Sequence, residues 1–132
     1  MAYTISTTVS MPFEEAVTAA TEALKAHGFG VLTTIDVKDT LKQKIGAEFR
    51  PYRILGACNP QMAHQALQAE DKIGVMLPCN VIVQEHAPGR VEIAAVDPVA
   101  SMQAVENPSL GEVAGSVREG LRQAIADLEA RS

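Results

Sequence analysis

The sequence predicts an α+β domain: a mainly antiparallel sheet with helices packed on one face. Two observations carry this reading. Short β-branched or apolar runs recur along the chain, two of them joined by the turn Ala87-Pro88-Gly89-Arg90, and amphipathic helical patterns stand at its start, middle and end. At 132 residues the whole chain, 1–132, fits one domain. A domain of that size buries roughly two thirds of the surface its unfolded chain exposes, enough for a core without staples.

The first strand is expected over Tyr3 to Val9, where polar and apolar residues alternate with the period of a half-buried strand. Ser10, Met11 and Pro12 then signal a helix start. Phe13, Ala16, Val17, Ala20, Ala23 and Leu24 recur at helical spacing and define one face. Glu14 and Glu15 suit the positive end of that helix and Lys25 its negative end, and Gly28 supplies the left-handed residue that closes it. Phe29 to Asp36 reads as a second strand, rich in β-branched residues.

Val37 to Gly46 has weak helical spacing and is expected to be a short exposed helix or turn. Tyr52 to Cys58 reads as a buried strand, and Asn59-Pro60 as a helix start with asparagine as cap and proline in the first turn. That helix is expected to end near Glu70. Apolar runs then flank Pro78-Cys79, and Val91 to Val96 returns as the hairpin partner of Val81 to His86. After a connecting segment punctuated by Asp97-Pro98 and Asn107-Pro108, Leu110, Val113, Ala114, Val117, Leu121, Ala124, Ile125 and Leu128 form an apolar stripe of about five turns.

Composition narrows the function. The formal net charge of −5, with dispersed basic residues, argues against a nucleic-acid partner, because such binding needs clustered Lys and Arg. The most apolar stretch, Ile73 to Val83, is too short to span a bilayer and is broken by Gly74, Pro78 and Asn80, so no membrane association is expected. The opening residues lack the pattern of a secretory signal, which points to the cytoplasm, where two cysteines are expected as thiols. A small sheet leaves an edge or a face uncovered, and a homodimer would resolve that.

Cys58 and Cys79 are each followed by asparagine in matching surroundings. Each Cys-Asn is expected to close an apolar strand where the backbone turns, with the asparagine capping exposed N–H groups. Cys58 precedes a helix cap, where the helix dipole favours a thiolate. That dipole is worth only about 0.3 to 1 kcal/mol, less than a tenfold gain in thiolate, so activation needs a second positive group. Arg53 should point to the opposite face of its strand and His64 lies five positions along the helix, so neither supplies it. Pro78 cannot donate to a sheet ladder, and a bulge or kink there would aim Cys79 away from the sheet. Against these readings stands the plain one, that a free cysteine is a small core residue.

No metal site is expected, since the cysteines stand singly and His64, Glu85 and His86 are scattered. No cofactor is expected either: there is no Gly-rich phosphate loop, and no serine has a nucleophile-elbow context.

The segments "HGFGVLTTIDV", "YRILGACNP", "IGVMLPCNVIV" and "VDPVASM" together resemble the domain-of-unknown-function family 302 over nearly the whole chain. The resemblance implies a compact, commonly dimeric α+β domain of bacteria and archaea. It carries no established activity, and it places Gly56, Cys58, Asn59, Pro60, Pro78, Cys79 and Asn80 at signature positions.

Two functions are therefore expected, with thiol chemistry placed ahead of ligand binding. The first is thiol-based sulfur or redox chemistry at a paired Cys58/Cys79 site, with one thiol as nucleophile or sulfur acceptor and the other as resolving or ligating partner. The second is a non-catalytic module that binds a small molecule, or a sulfur-containing one, between sheet and helices with the cysteines as lining. In either case Gly56, Asn59, Pro60, Pro78 and Asn80 are the expected ligand-binding positions, and whether the protein is an enzyme is left open.

Overall fold

The structure is a computed structural model that describes residues 2–131. Its strands are β1 (Thr4–Val9), β2 (Gly30–Asp36), β3 (Tyr52–Cys58), β4 (Cys79–Ala87) and β5 (Arg90–Val96). The helices are α1 (Phe13–Ala26), α2 (Val37–Ile45), α3 (Pro60–Ala69), the short α4 (Pro98–Ser101) and α5 (Pro108–Arg131). A single 3₁₀ turn covers Ile73–Met76. The α+β reading is correct.

The five strands lie in the order β1-β5-β4-β3-β2, each antiparallel to its neighbours. Strands β2 to β5 thus form a meander. β1 adds to its far edge, and α1 carries the chain across the sheet from β1 to β2. The period-2 alternation sends Val9, Leu55, Ala57, Val81, Val83, Val91, Ile93 and Ala95 to one face, where they are buried with α1 and the C-terminal half of α5. Residues of the α5 stripe, among them Leu121, Ala124, Ile125 and Leu128, enter the same cluster. A second, smaller cluster gathers Ala66 of α3, Ile73 of the 3₁₀ turn and Leu110 at the start of α5.

Helix ends follow local chemistry. Pro12 is the N-cap of α1 and accepts from the Ala16 N–H through its backbone carbonyl, so Ser10 has no capping role. Gly28 and Gly46 take positive φ after α1 and α2, and Asp36 caps α2 by accepting from the Asp39 N–H. Asn59 caps α3 as expected, accepting from the Met62 N–H at 3.1 Å, with Pro60 in the first turn.

Three features depart from the sequence reading. Cys79 opens β4, so only Cys58 closes a strand. The apolar run before Pro78 is a 3₁₀ turn that ends in a cis Leu77-Pro78 bond. The segment after β5 contains α4, capped by the Asp97 carboxylate, which accepts from the Val99 N–H. Among the described residues, no helix is long and apolar enough to cross a membrane.

Candidate functional site

A cavity of about 360 Å³, partly open to solvent, lies between the ends of β2, β3 and β4 on one side and α3 and α5 on the other. It lies between the main core and the smaller cluster, where the two apolar groups fail to close on each other. A cavity of this size falls within the range that takes small ligands, about 300 to 1,000 Å³.

Local backbone features shape its walls. The register of β2 against β3 slips between Val31 and Thr33, leaving Leu32 without a cross-strand partner. This bulge re-aims Leu32, which is 68% exposed yet lines the cavity. Phe29, buried just before β2, forms part of the wall, and its ring lies so close to α5 that a Cβ on Gly120 would come within 2.8 Å of it. Gly56 permits a similar approach, since a Cβ there would collide with Thr33 Oγ1 and stand 2.8 Å from Pro78 Cγ. Gly28, at φ +87°, lies under the Asn59 amide, which seats the start of α3 against the turn between α1 and β2.

Of the seven expected site residues, Cys58, Asn59, Pro78 and Cys79 line this cavity. Gly56 sits beneath it as the position that lets Thr33 and Pro78 close in. Pro60 is exposed at the first turn of α3 and faces solvent instead. Asn80 pairs with Gly56 across β3 and β4 and is exposed on the far face of the sheet, because one strand step from Cys79 reverses the side-chain direction. Its expected capping role is therefore wrong.

The expected cysteine pair is also corrected. Both thiols are free, and Cys79 stands opposite Ala57 in the ladder rather than opposite Cys58. Cys79 is 8% exposed, and burial first, with the charge on Cys58 second, pushes its thiol up to about 11. Such a thiol stays protonated at neutral pH. Cys58 is partly exposed at the end of β3.

Among the described residues, no charged side chain lines the cavity. The histidines lie elsewhere: His64 is exposed on α3, His27 pairs with Asp127 at 2.6 Å, and His86 with Glu92 at 3.1 Å. Arg53 has its partners elsewhere, in a two-point ion pair with Glu14 at 2.6 and 3.2 Å, with Asp36 at 3.5 Å.

Sequence reasoning missed the far walls, including Met62, Leu67, Leu77, Met102, Val113 and Val117. These residues come from separate helices and turns, so no local pattern marks them as one wall.

Comparison with known proteins agrees with this architecture. No curated protein matches the chain. The crystal structure of an uncharacterized conserved DUF302 protein from Bacillus stearothermophilus superposes with a TM-score of 0.89 at 28% sequence identity, covering 97% of this chain and 99% of that one. The model of the family described as domain of unknown function DUF302 matches residues 5–128, nearly the full length, and the chain belongs to that family.

Proposed function

We propose that the protein is a small-ligand-binding module whose ligand enters the cavity between the sheet and α3. One observation carries this reading: a partly open cavity of about 360 Å³ whose lining, among the described residues, holds no charged side chain. A cavity lined by apolar side chains with a few polar groups at its edge, here Thr33 and Asn59, is the usual form of a binding site. The test is titration with N-phenyl-1-naphthylamine, a neutral dye that fluoresces in apolar surroundings. Saturable binding of one dye per chain, abolished by Ala63→Phe with the fold intact by circular dichroism, supports the reading. Absence of saturable binding overturns it.

Thiol chemistry is the second reading, and it now rests on Cys58. Its partial exposure at the cavity wall, one residue before the α3 cap, favours it. Alkylation of Cys58 by iodoacetamide with a midpoint well below pH 8 supports that reading, and a midpoint at or above 8 rejects it.

The protein is further proposed to act in the cytoplasm as a homodimer. Its two free thiols support a reducing compartment. Ile35, Ile54 and Ile82 stand in register on the sheet face away from α1 and α5, and this apolar row supports self-association. Sedimentation of the wild-type chain and of Ile82→Lys tests the dimer, which requires the wild type to run at twice the chain mass and the variant at the chain mass.

A further inference from the structure

Four sulfur-bearing side chains, Cys58, Met62, Cys79 and Met102, line the cavity together with the ring of Phe29. They arrive from four separate parts of the chain: the end of β3, α3, the start of β4 and the residue after α4. Thioether sulfur is polarisable and makes favourable contacts with aromatic rings, typically at the ring edge. Aromatic rings also prefer offset or edge-to-face contact with another ring, which Phe29 provides. An engineered apolar cavity of about 150 Å³ admits benzene, so a space of about 360 Å³ has room for two fused rings. A charge has no partner inside.

From these features we infer that the cavity selects neutral, flat aromatic compounds of about two fused rings over saturated molecules of the same skeleton. This rests on the ligand-binding reading above and specifies its ligand class. Hydrophobic burial alone does not give that preference, because a saturated ring system exposes at least as much apolar surface as its aromatic counterpart. Sulfur and ring contacts do, and the two methionines are flexible enough to close on a planar ligand.

The test uses the full chain loaded with N-phenyl-1-naphthylamine, displaced by 2-naphthol, by decahydro-2-naphthol and by 2-naphthoate. The expected result is that 2-naphthol binds roughly three- to tenfold more tightly than its saturated analogue, and that the carboxylate binds at least about tenfold more weakly than 2-naphthol. In the double variant Met62→Leu/Met102→Leu, whose volume change is small enough to be tolerated, the aromatic preference falls toward parity while the saturated alcohol keeps its affinity. Equal or tighter binding of the saturated alcohol overturns the inference but leaves the binding reading standing. Persistence of the full preference in the double variant also overturns it. If the dye itself does not bind, both readings fall together.

Discussion

Pro78 stands over Gly56. A Cβ added to that glycine would lie 2.8 Å from Pro78 Cγ, and on its other side it would collide with Thr33 Oγ1. The middle of β3 is thus the floor on which the chain from β2 and the chain entering β4 both rest. A side chain at this position would push apart the segments that carry Thr33, Pro78 and Cys79 to the cavity.

Gly56→Ala is therefore expected to destabilise the fold by about 1 to 3 kcal/mol, the usual cost of overpacking a fitted site. Urea unfolding measures it as a lower midpoint at unchanged slope. Adding Thr33→Ala to the variant removes one of the two clashes, so the double variant should recover part of the loss. Additive effects in the two variants would show that Thr33 is not what the new methyl meets.

Arg53 lies against the Phe13 ring, 5.3 Å from its centroid, while its guanidinium holds Glu14 at two points. The Glu14 hydrogen bond, with the charges of Glu14 and Asp36, holds that guanidinium above its ordinary range, against the opposing effect of burial. Glu14 is largely exposed, so the ion pair itself contributes little, roughly 0 to 1 kcal/mol. Arg53→Met keeps the stem over Phe13 and should leave stability within about 1 kcal/mol, whereas Arg53→Ala loses the packing as well and should cost more. Equal losses in thermal unfolding of the two variants would assign the stabilisation to charge instead.

Much of this fold can be read locally. The α5 stripe from Leu110 to Leu128, the closures at Gly28 and Gly46, the Asn59 cap and the hairpin turn at Gly89 each depend on residues a few positions apart, and each forms where its pattern stands. The cavity could not be read that way. Its wall joins Leu32, Cys58, Met102 and Val117, which only the order of strands and the crossing of α3 and α5 bring together. Asn80 shows the same limit at the smallest scale. It follows Cys79 just as Asn59 follows Cys58, but a strand residue turns to the opposite face while a residue at a helix cap bends back onto the backbone.

Asp97 is 8% exposed, accepts from the Val99 N–H at 3.0 Å, and stands 3.1 Å from Arg118 Nε on α5, whose N–H does not line up for a hydrogen bond. This carboxylate ties the end of β5 to α5 and starts α4, after which Met102 reaches the cavity. Asp97→Ala should cost about 1 to 3 kcal/mol through loss of the cap and the buried ion partner. Asp97→Asn keeps the capping oxygen and should cost less. In both variants amide hydrogen exchange should rise around residues 98–102 before it rises in the sheet, and uniform exchange across the chain would reject the local role.

Cys79 gives the protein a specific alkaline weakness. Its thiol titrates near 11 in the folded chain against an ordinary value of 9.0, because burial disfavours the thiolate. Below pH 9 the thiol is protonated in both states and stability does not depend on it. Between about 9 and 11 the unfolded chain loses this proton while the folded chain keeps it, so stability falls with rising pH, by an amount on the order of 2 to 3 kcal/mol across the window. Other groups titrate there too, so the measurement is a comparison: urea midpoints of wild type and Cys79→Ala at pH 8 and pH 10.5. The alanine variant starts lower, because a small cavity replaces the sulfur, but its decline with pH should be shallower. Parallel declines would mean that Cys79 ionises as freely in the folded chain as in the unfolded one, and burial would then not be what sets its titration.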